Sequence, residues 1–170
     1  MKKVLVAVVS AVFILGFGYA SYAIHDMDAQ GTPVMQPEAD AAKLYTYIMK
    51  PKPYFSRLKL WPGKRKLVSG NDPHGPLTTT YLNDTALSAL SKGDMVDGSC
   101  IIMENYSADK RLETLTVMYK VKGYNPDAGD WFWVQYSSNN GYVLESGKVD
   151  SCIACHKSRQ DTDYLHKERG

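Results

Sequence analysis

Leu112-Glu113-Thr114-Leu115-Thr116-Val117-Met118-Tyr119-Lys120-Val121 decides the fold of this chain. The run contains no glycine or proline, and half of it is β-branched or aromatic, the types that fit a pleated, half-buried surface. Side chains alternate across a strand. Leu115, Val117, Tyr119 and Val121 therefore share one face, and Thr114, Thr116, Met118 and Lys120 share the other. One face is wholly apolar and the other is mixed, which predicts a strand of an antiparallel sheet lying on a core.

The flanks repeat the pattern. Asp97-Gly98 marks a turn, and Ser99 to Asn105 reads as a strand with Cys100 and Ile102 on one face and Ile101 and Met103 on the other. Ser107 to Lys110 is the polar turn that follows. Beyond the Pro/Gly loop Tyr124 to Gly129, Asp130 to Tyr136 reads as another strand carrying Trp131, Phe132 and Trp133. Asn139-Asn140-Gly141 is a hairpin signal, with Tyr142 to Glu145 returning. Upstream, Pro76 to Leu82 is Thr-rich and β-prone, and Asn83 or Asp84 caps a short helix that Gly93 stops. A first helix has Pro37 in its opening turn, an apolar stripe of Ala41, Leu44, Tyr45 and Ile48, and Pro51 at its end. These elements predict an α+β fold, mainly antiparallel β-sheet with short helices at both ends. They form a single domain over residues 37–166, with a leader at 24–36 and a polar tail at 167–170. The chain from Gln160 is expected to fray.

The N-terminus points to export. Met1-Lys2-Lys3 precedes an apolar run from Val4 to Ala20, and Ser21-Tyr22-Ala23 has small residues where a signal peptidase reads. The expectation is a signal peptide over residues 1–23 and a periplasmic protein; an uncleaved membrane anchor is the alternative. A net charge of +2 over 170 residues makes no case for nucleic acid.

Near the other end, Cys152-Ile153-Ala154-Cys155-His156 has the C-x-x-C-H pattern of covalent c-type haem attachment. Two thiols a helical turn apart reach the two vinyl groups on one porphyrin edge, and the adjoining His lies under the iron. The competing readings are weaker. A zinc site wants a second Cys/His pair, and the remaining cysteine, Cys100, stands alone. A thioredoxin-like pair follows a strand in a βαβ unit, and a disulfide closing so small a loop stabilises little. The reading is one haem c, covalent through Cys152 and Cys155, with His156 as iron ligand.

Lys50 to Lys66 is basic and aromatic: Lys50, Lys52, Arg57, Lys59, Lys64, Arg65 and Lys66 surround Tyr54, Phe55 and Trp61. It reads as a solvated loop whose aromatics cover the core, or as a docking patch for an acidic redox partner.

With these blocks in place, the sequence resembles the cytochrome P-460 family, which includes the NO-binding cytochromes c′-beta. The resemblance runs from about residue 38 to residue 165. It rests on Pro73-His74-Gly75-Pro76 leading to Thr80-Tyr81-Leu82-Asn83-Asp84, and on Asp97 to Tyr106. It continues through Thr116 to Val121, Gly129 to Trp133, Gly147-Lys148-Val149 with the haem motif, and Asp163-Tyr164. The resemblance implies a homodimer and one haem c per chain, with His156 proximal and an opposite face that binds small gaseous or nitrogen-oxide ligands. Some members oxidise hydroxylamine, passing electrons to another cytochrome, and carry a lysine linked to the porphyrin. That lysine position falls on Met103, whose thioether cannot make the same bond. A gapless comparison places Thr78 and Leu115 over the open face, which implies an apolar pocket.

Three functions remain open: a five-coordinate haem protein that binds NO, an oxidoreductase for hydroxylamine or a related nitrogen compound, and a six-coordinate electron-transfer cytochrome. Met103 either fills a core gap, lies against the haem edge or ligates the iron. Met118 reads as core, His74 as a loop anchor or a ligand, and Cys100 as buried. His166 reads as solvated. Phe132 is the member of its aromatic run expected to wall the pocket.

Overall fold

The computed structural model describes residues 26–27, 33–34 and 36–166. The expected signal peptide over 1–23 and the tail at 167–170 lie outside the described residues, as does most of the leader. Strands β1 (Asp26–Met27) and β2 (Pro33–Val34) pair with each other. The chain then forms α1 (Ala41–Met49), β3 (Lys59–Leu60), β4 (Val68–Ser69), β5 (Leu77–Leu82) and α2 (Asp84–Leu90). After these come β6 (Cys100–Tyr106), β7 (Leu112–Lys120), β8 (Trp131–Ser137), β9 (Val143–Gly147) and α3 (Asp150–His156). Among the described residues, β3 to β9 make one antiparallel sheet in the order β3-β5-β6-β7-β8-β9, with β4 also on β5. The fold is α+β and mainly sheet. No helix among the described residues is long and apolar enough to cross a membrane.

The sheet separates two cores, because successive side chains go to opposite faces. On one face, Cys100, Ile102, Leu115, Val117, Tyr119, Phe132, Val134 and Tyr136 pack against Leu44, Tyr47 and Ile48 of α1. On the other, Ile101, Met118, Trp131 and Trp133 pack against Ala86 and Ala89 of α2 and against Tyr164 and Leu165. Val149, Cys152 and Ile153, at the start of α3, cover the same face.

Local chemistry sets the element ends. Helix α1 begins at Ala41, and the Asp40 side chain accepts from Lys43 N at 2.8 Å as N-cap. Pro37 therefore precedes the helix and does not sit in its first turn. Asn83 caps α2 and does more. Its Oδ1 accepts from Ala86 N at 2.9 Å and Cys100 N at 3.0 Å, while its Nδ2 donates to Gly98 O at 2.9 Å. One buried amide thus joins α2, β6 and the turn before β6.

Four further sequence expectations need correction. Val149 holds the cap position of α3 and no side chain caps it, so neither Asp150 nor Ser151 does. The chain from Gln160 does not fray: a 3-10 turn runs to Thr162, and Asp163, Tyr164 and Leu165 are buried. Phe132 lies in the α1 core, and Trp133 takes the opposite face. Leu115 is likewise in the α1 core, because an odd position on β7 points away from α3. The gapless comparison therefore puts Leu115 on the wrong side of the sheet, since a shift of one residue inverts the side of a strand.

The basic segment divides. Arg57 donates to the carbonyls of Lys52, Tyr47 and Ile48, and so pins the end of α1. Lys64 lies over Trp61 and Lys66 over Tyr81. Tyr54 is buried, while Phe55 is about half exposed at 54%.

Candidate functional site

Two rows of side chains cross the sheet on the α3 side. Cross-strand register aligns Thr80, Met103, Thr116, Gln135 and Glu145 in one row. The next row holds Leu82, Ile101, Met118, Trp133 and Gly147. Helix α3 lies against the second row, and the loop between β4 and β5 brings His74 to the first. Between them is a cavity of about 300 Å³, mostly apolar, whose wall includes Met103, Met118, Trp133, Cys152, Cys155 and His156. A polar strip of His74, Thr116, Gln135 and Glu145 completes it. Thr78 shares this sheet face but lies one row further out and does not line the cavity.

Helix α3 explains why the motif residues converge. Positions three and four apart lie on one helical face. Cys152, Cys155 and His156 have that spacing and all line the cavity. None of the three cysteines is in a disulfide; Cys100 is fully buried on the α1 side. Burial pushes the Cys152 thiol up.

His156 is held in one orientation. Its Nδ1 donates to the Tyr164 carbonyl at 2.7 Å, which leaves Nε2 as the free ring nitrogen. Trp133 packs on the imidazole at 4.7 Å between ring centres, and His166 lies at 4.9 Å. Burial lowers the His156 pKa to about 4, helped by His166 and His74 and opposed by the Tyr164 bond. A neutral, half-buried imidazole with its Nδ1 proton engaged is suited to donate its other lone pair to a metal.

The Tyr164 carbonyl is itself fixed. Asp163 and Tyr164 both have left-handed backbone, with φ 54° and 65°. The Asp163 carboxylate accepts from Lys120 Nζ at 2.6 and 2.7 Å and from Met95 N at 2.8 Å. Trp131 Nε1 donates to the Asp163 carbonyl at 3.1 Å. Gly129 lies under the Tyr164 ring, where an added Cβ would come within 2.9 Å. A buried ion pair and a close packing contact thus sustain the orientation of His156.

These residues fit a c-type haem. Two thiols and an imidazole border one mostly apolar cavity. The Trp133 indole N–H is buried with no hydrogen-bond partner among the described residues, so a polar atom of a bound group would satisfy it. The sequence singles out Met103, Cys152, Cys155 and His156, and all four line this cavity. It did not anticipate Trp133, Thr116, Gln135, Glu145, or Lys120 with Asp163. Period-2 alternation along β7 puts Thr116 on the face of Met118, but setting it beside Met103 needs the β6–β7 register.

No curated protein matches the chain. The profile of the cytochrome P460 family matches residues 64–167. That span takes in β4 to β9, α3 and the Asp163-Tyr164 support, and leaves α1 and β3 outside. Covering more than half of the 170 residues, and containing the whole cavity wall, the match shows that this chain belongs to the cytochrome P460 family of haem proteins.

Proposed function

We propose that this is an exported, mono-haem c protein that binds a small nitrogen-oxide ligand such as NO. The haem is attached through thioethers at Cys152 and Cys155. His156 is the proximal ligand, and the iron is five-coordinate when it accepts the small ligand on the other face. The observation that carries the reading is the convergence of both thiols and an Nδ1-anchored His156 on one cavity. When bound, the haem supplies an iron that takes neutral diatomic ligands without proton transfer. The chain's own residues orient the imidazole, exclude water with Met103, Met118 and Trp133, and keep the ligand side mostly apolar. Met103 lies at the cavity as a packing group; this favours ligand binding over the cross-linked chemistry that a lysine there would provide.

One observation supports a second reading. Glu145 and Gln135 line the cavity side by side in register, and a carboxylate near the ligand could move protons during oxidation of hydroxylamine. Electrons would then pass to a partner cytochrome. A homodimer belongs to the same proposal, supported by the exposed apolar edge at Tyr142, Val143 and Leu144.

The test is expression with the haem-c attachment machinery. Covalent haem should survive acid acetone and add one haem to the protein mass. NO and CO should each change the ferrous spectrum. Pigment that acid acetone removes, or a spectrum indifferent to both gases, refutes the reading. Hydroxylamine turnover with an artificial electron acceptor would favour the second one.

A further inference from the structure

We propose that His74 is a second, releasable axial ligand of the haem iron, opposite His156, and that small ligands bind by displacing it. The inference rests on the haem reading above and adds a gate to it.

The His74 and His156 ring centres are 6.2 Å apart, with planes at 89°. Imidazoles on opposite sides of one metal ion, each bound at about 2 Å, hold their centres roughly 6 to 6.5 Å apart. A histidine that only hydrogen-bonds to a bound diatomic would stand further off, because the diatomic must fit between nitrogen and metal. The separation is the one that ligation of a single metal ion between the two rings requires.

The sheet supports the same assignment. His156 packs on Trp133, while His74 meets Thr116 in the neighbouring row, with Asn105 one row beyond as a second polar neighbour. Rows on one face are two residues apart along a strand, roughly 6.6 Å. The two imidazoles are thus offset along the strands by about one row, with Met103 in the row of Thr116, on the His74 side. Met118 belongs to the Trp133 row, on the His156 side.

His74 is also prepared as His156 is. Its Nδ1 lies 3.3 Å from Thr116 Oγ1, and the Asn105 side chain is a further hydrogen-bond partner of the ring. Histidine ligands commonly engage the protein through the other ring nitrogen. The carrier loop is closed at its base by Gly70 N to Pro76 O at 2.9 Å, and His74 N donates to Asn71 O at 2.8 Å. Gly75 has φ 82°, and a Cβ there would come within 2.9 Å of the Tyr106 carbonyl. The loop is thereby seated against β6, and its few residues are a small unit to displace. On exchange, the iron–nitrogen bond to His74 breaks and one bond to NO or CO forms. With CO the oxidation state of the iron is unchanged.

The experiment compares haem-loaded wild type with His74→Ala, by absorption and electron paramagnetic resonance in both oxidation states, with CO titrations. Wild type should be low-spin and six-coordinate. His74→Ala should be high-spin, and added imidazole should restore the low-spin spectrum. If His74 is bound in nine molecules of ten, its removal tightens apparent CO affinity about tenfold. Thr116→Val, which keeps the ligand but loses its anchor, should lower the low-spin fraction and guards against misfolding of the alanine variant. A high-spin wild type, or a low-spin spectrum that survives in His74→Ala, overturns the proposal. A spin change with no CO or NO binding in either protein sinks the ligand-binding reading and leaves the His74 assignment standing. Absence of covalent haem ends both.

Discussion

At the scale of single residues, the side chains that matter most are those whose polar groups have no access to water. Glu104 is 5% exposed and accepts from Tyr54 at 2.7 Å and Tyr106 at 2.8 Å. Burial, and then the bonds to Glu104, raise the pKa of both phenols well above the usual 10. The folded protein therefore holds protons that the unfolded chain releases as pH rises through about 10, so stability should fall above that pH. Urea midpoints at pH 8, 10 and 11 test this, and an unchanged midpoint contradicts it. Tyr54→Phe should cost about 1–3 kcal/mol by leaving the carboxyl short of a donor, and should flatten that alkaline decline. The Lys120–Asp163 pair is buried on both sides, at 13% and 9% exposure. Asp163→Ala should cost about 3–5 kcal/mol, since it strands a buried ammonium. It should also perturb the haem spectrum, because the Tyr164 carbonyl that orients His156 loses its support. Asp163→Ala with Lys120→Met should recover much of the stability and not the spectrum. If the spectrum is unaffected in either variant, the support acts on folding alone.

At the scale of elements, the hairpins were legible and the joints were not. Alternation set Cys100 and Ile102 opposite Met103 along β6, and Val117 and Tyr119 opposite Met118 along β7, as the sheet has them. Local alternation needs only neighbouring residues. Asn83 was recognisable as a helix cap because the signal lies within three residues. Its bonds to Cys100 and Gly98, some fifteen residues away, were not. Asn83→Ala should therefore cost more than an exposed cap, about 2–4 kcal/mol, with Asn83→Ser recovering only the helical part. Chemical denaturation of the three proteins decides it: equal losses for alanine and serine would assign all of the energy to the tie between elements. The C-terminal segment was misjudged for the same reason. Its composition is polar, and only the contacts of Asp163, Tyr164 and Leu165 with β7, β8 and α2 show why it is ordered.

At the scale of the molecule, one sheet carries a sealed core on the α1 face and the cavity on the α3 face. Haem attachment should raise the thermal midpoint by completing the second core, which calorimetry of loaded and unloaded protein would measure. The outer strand β9 is open, with Tyr142 70% and Leu144 53% exposed. Sedimentation should find a dimer, and Leu144→Lys should shift it toward monomer; a wild-type monomer at micromolar concentration removes that part of the proposal. Taken alone, the order of residues determined the strand periodicity, the helix cap and the C-x-x-C-H spacing, because each depends on atoms a few bonds or one turn apart. Only the tertiary structure decided which face of each strand meets α3, and that His74, Trp133 and Glu145 share a cavity with His156. It also showed that the polar segment around Asp163 is held in place by an ion pair with Lys120. Those outcomes depend on register and packing between segments far apart in the chain, where a shift of one residue exchanges core for cavity.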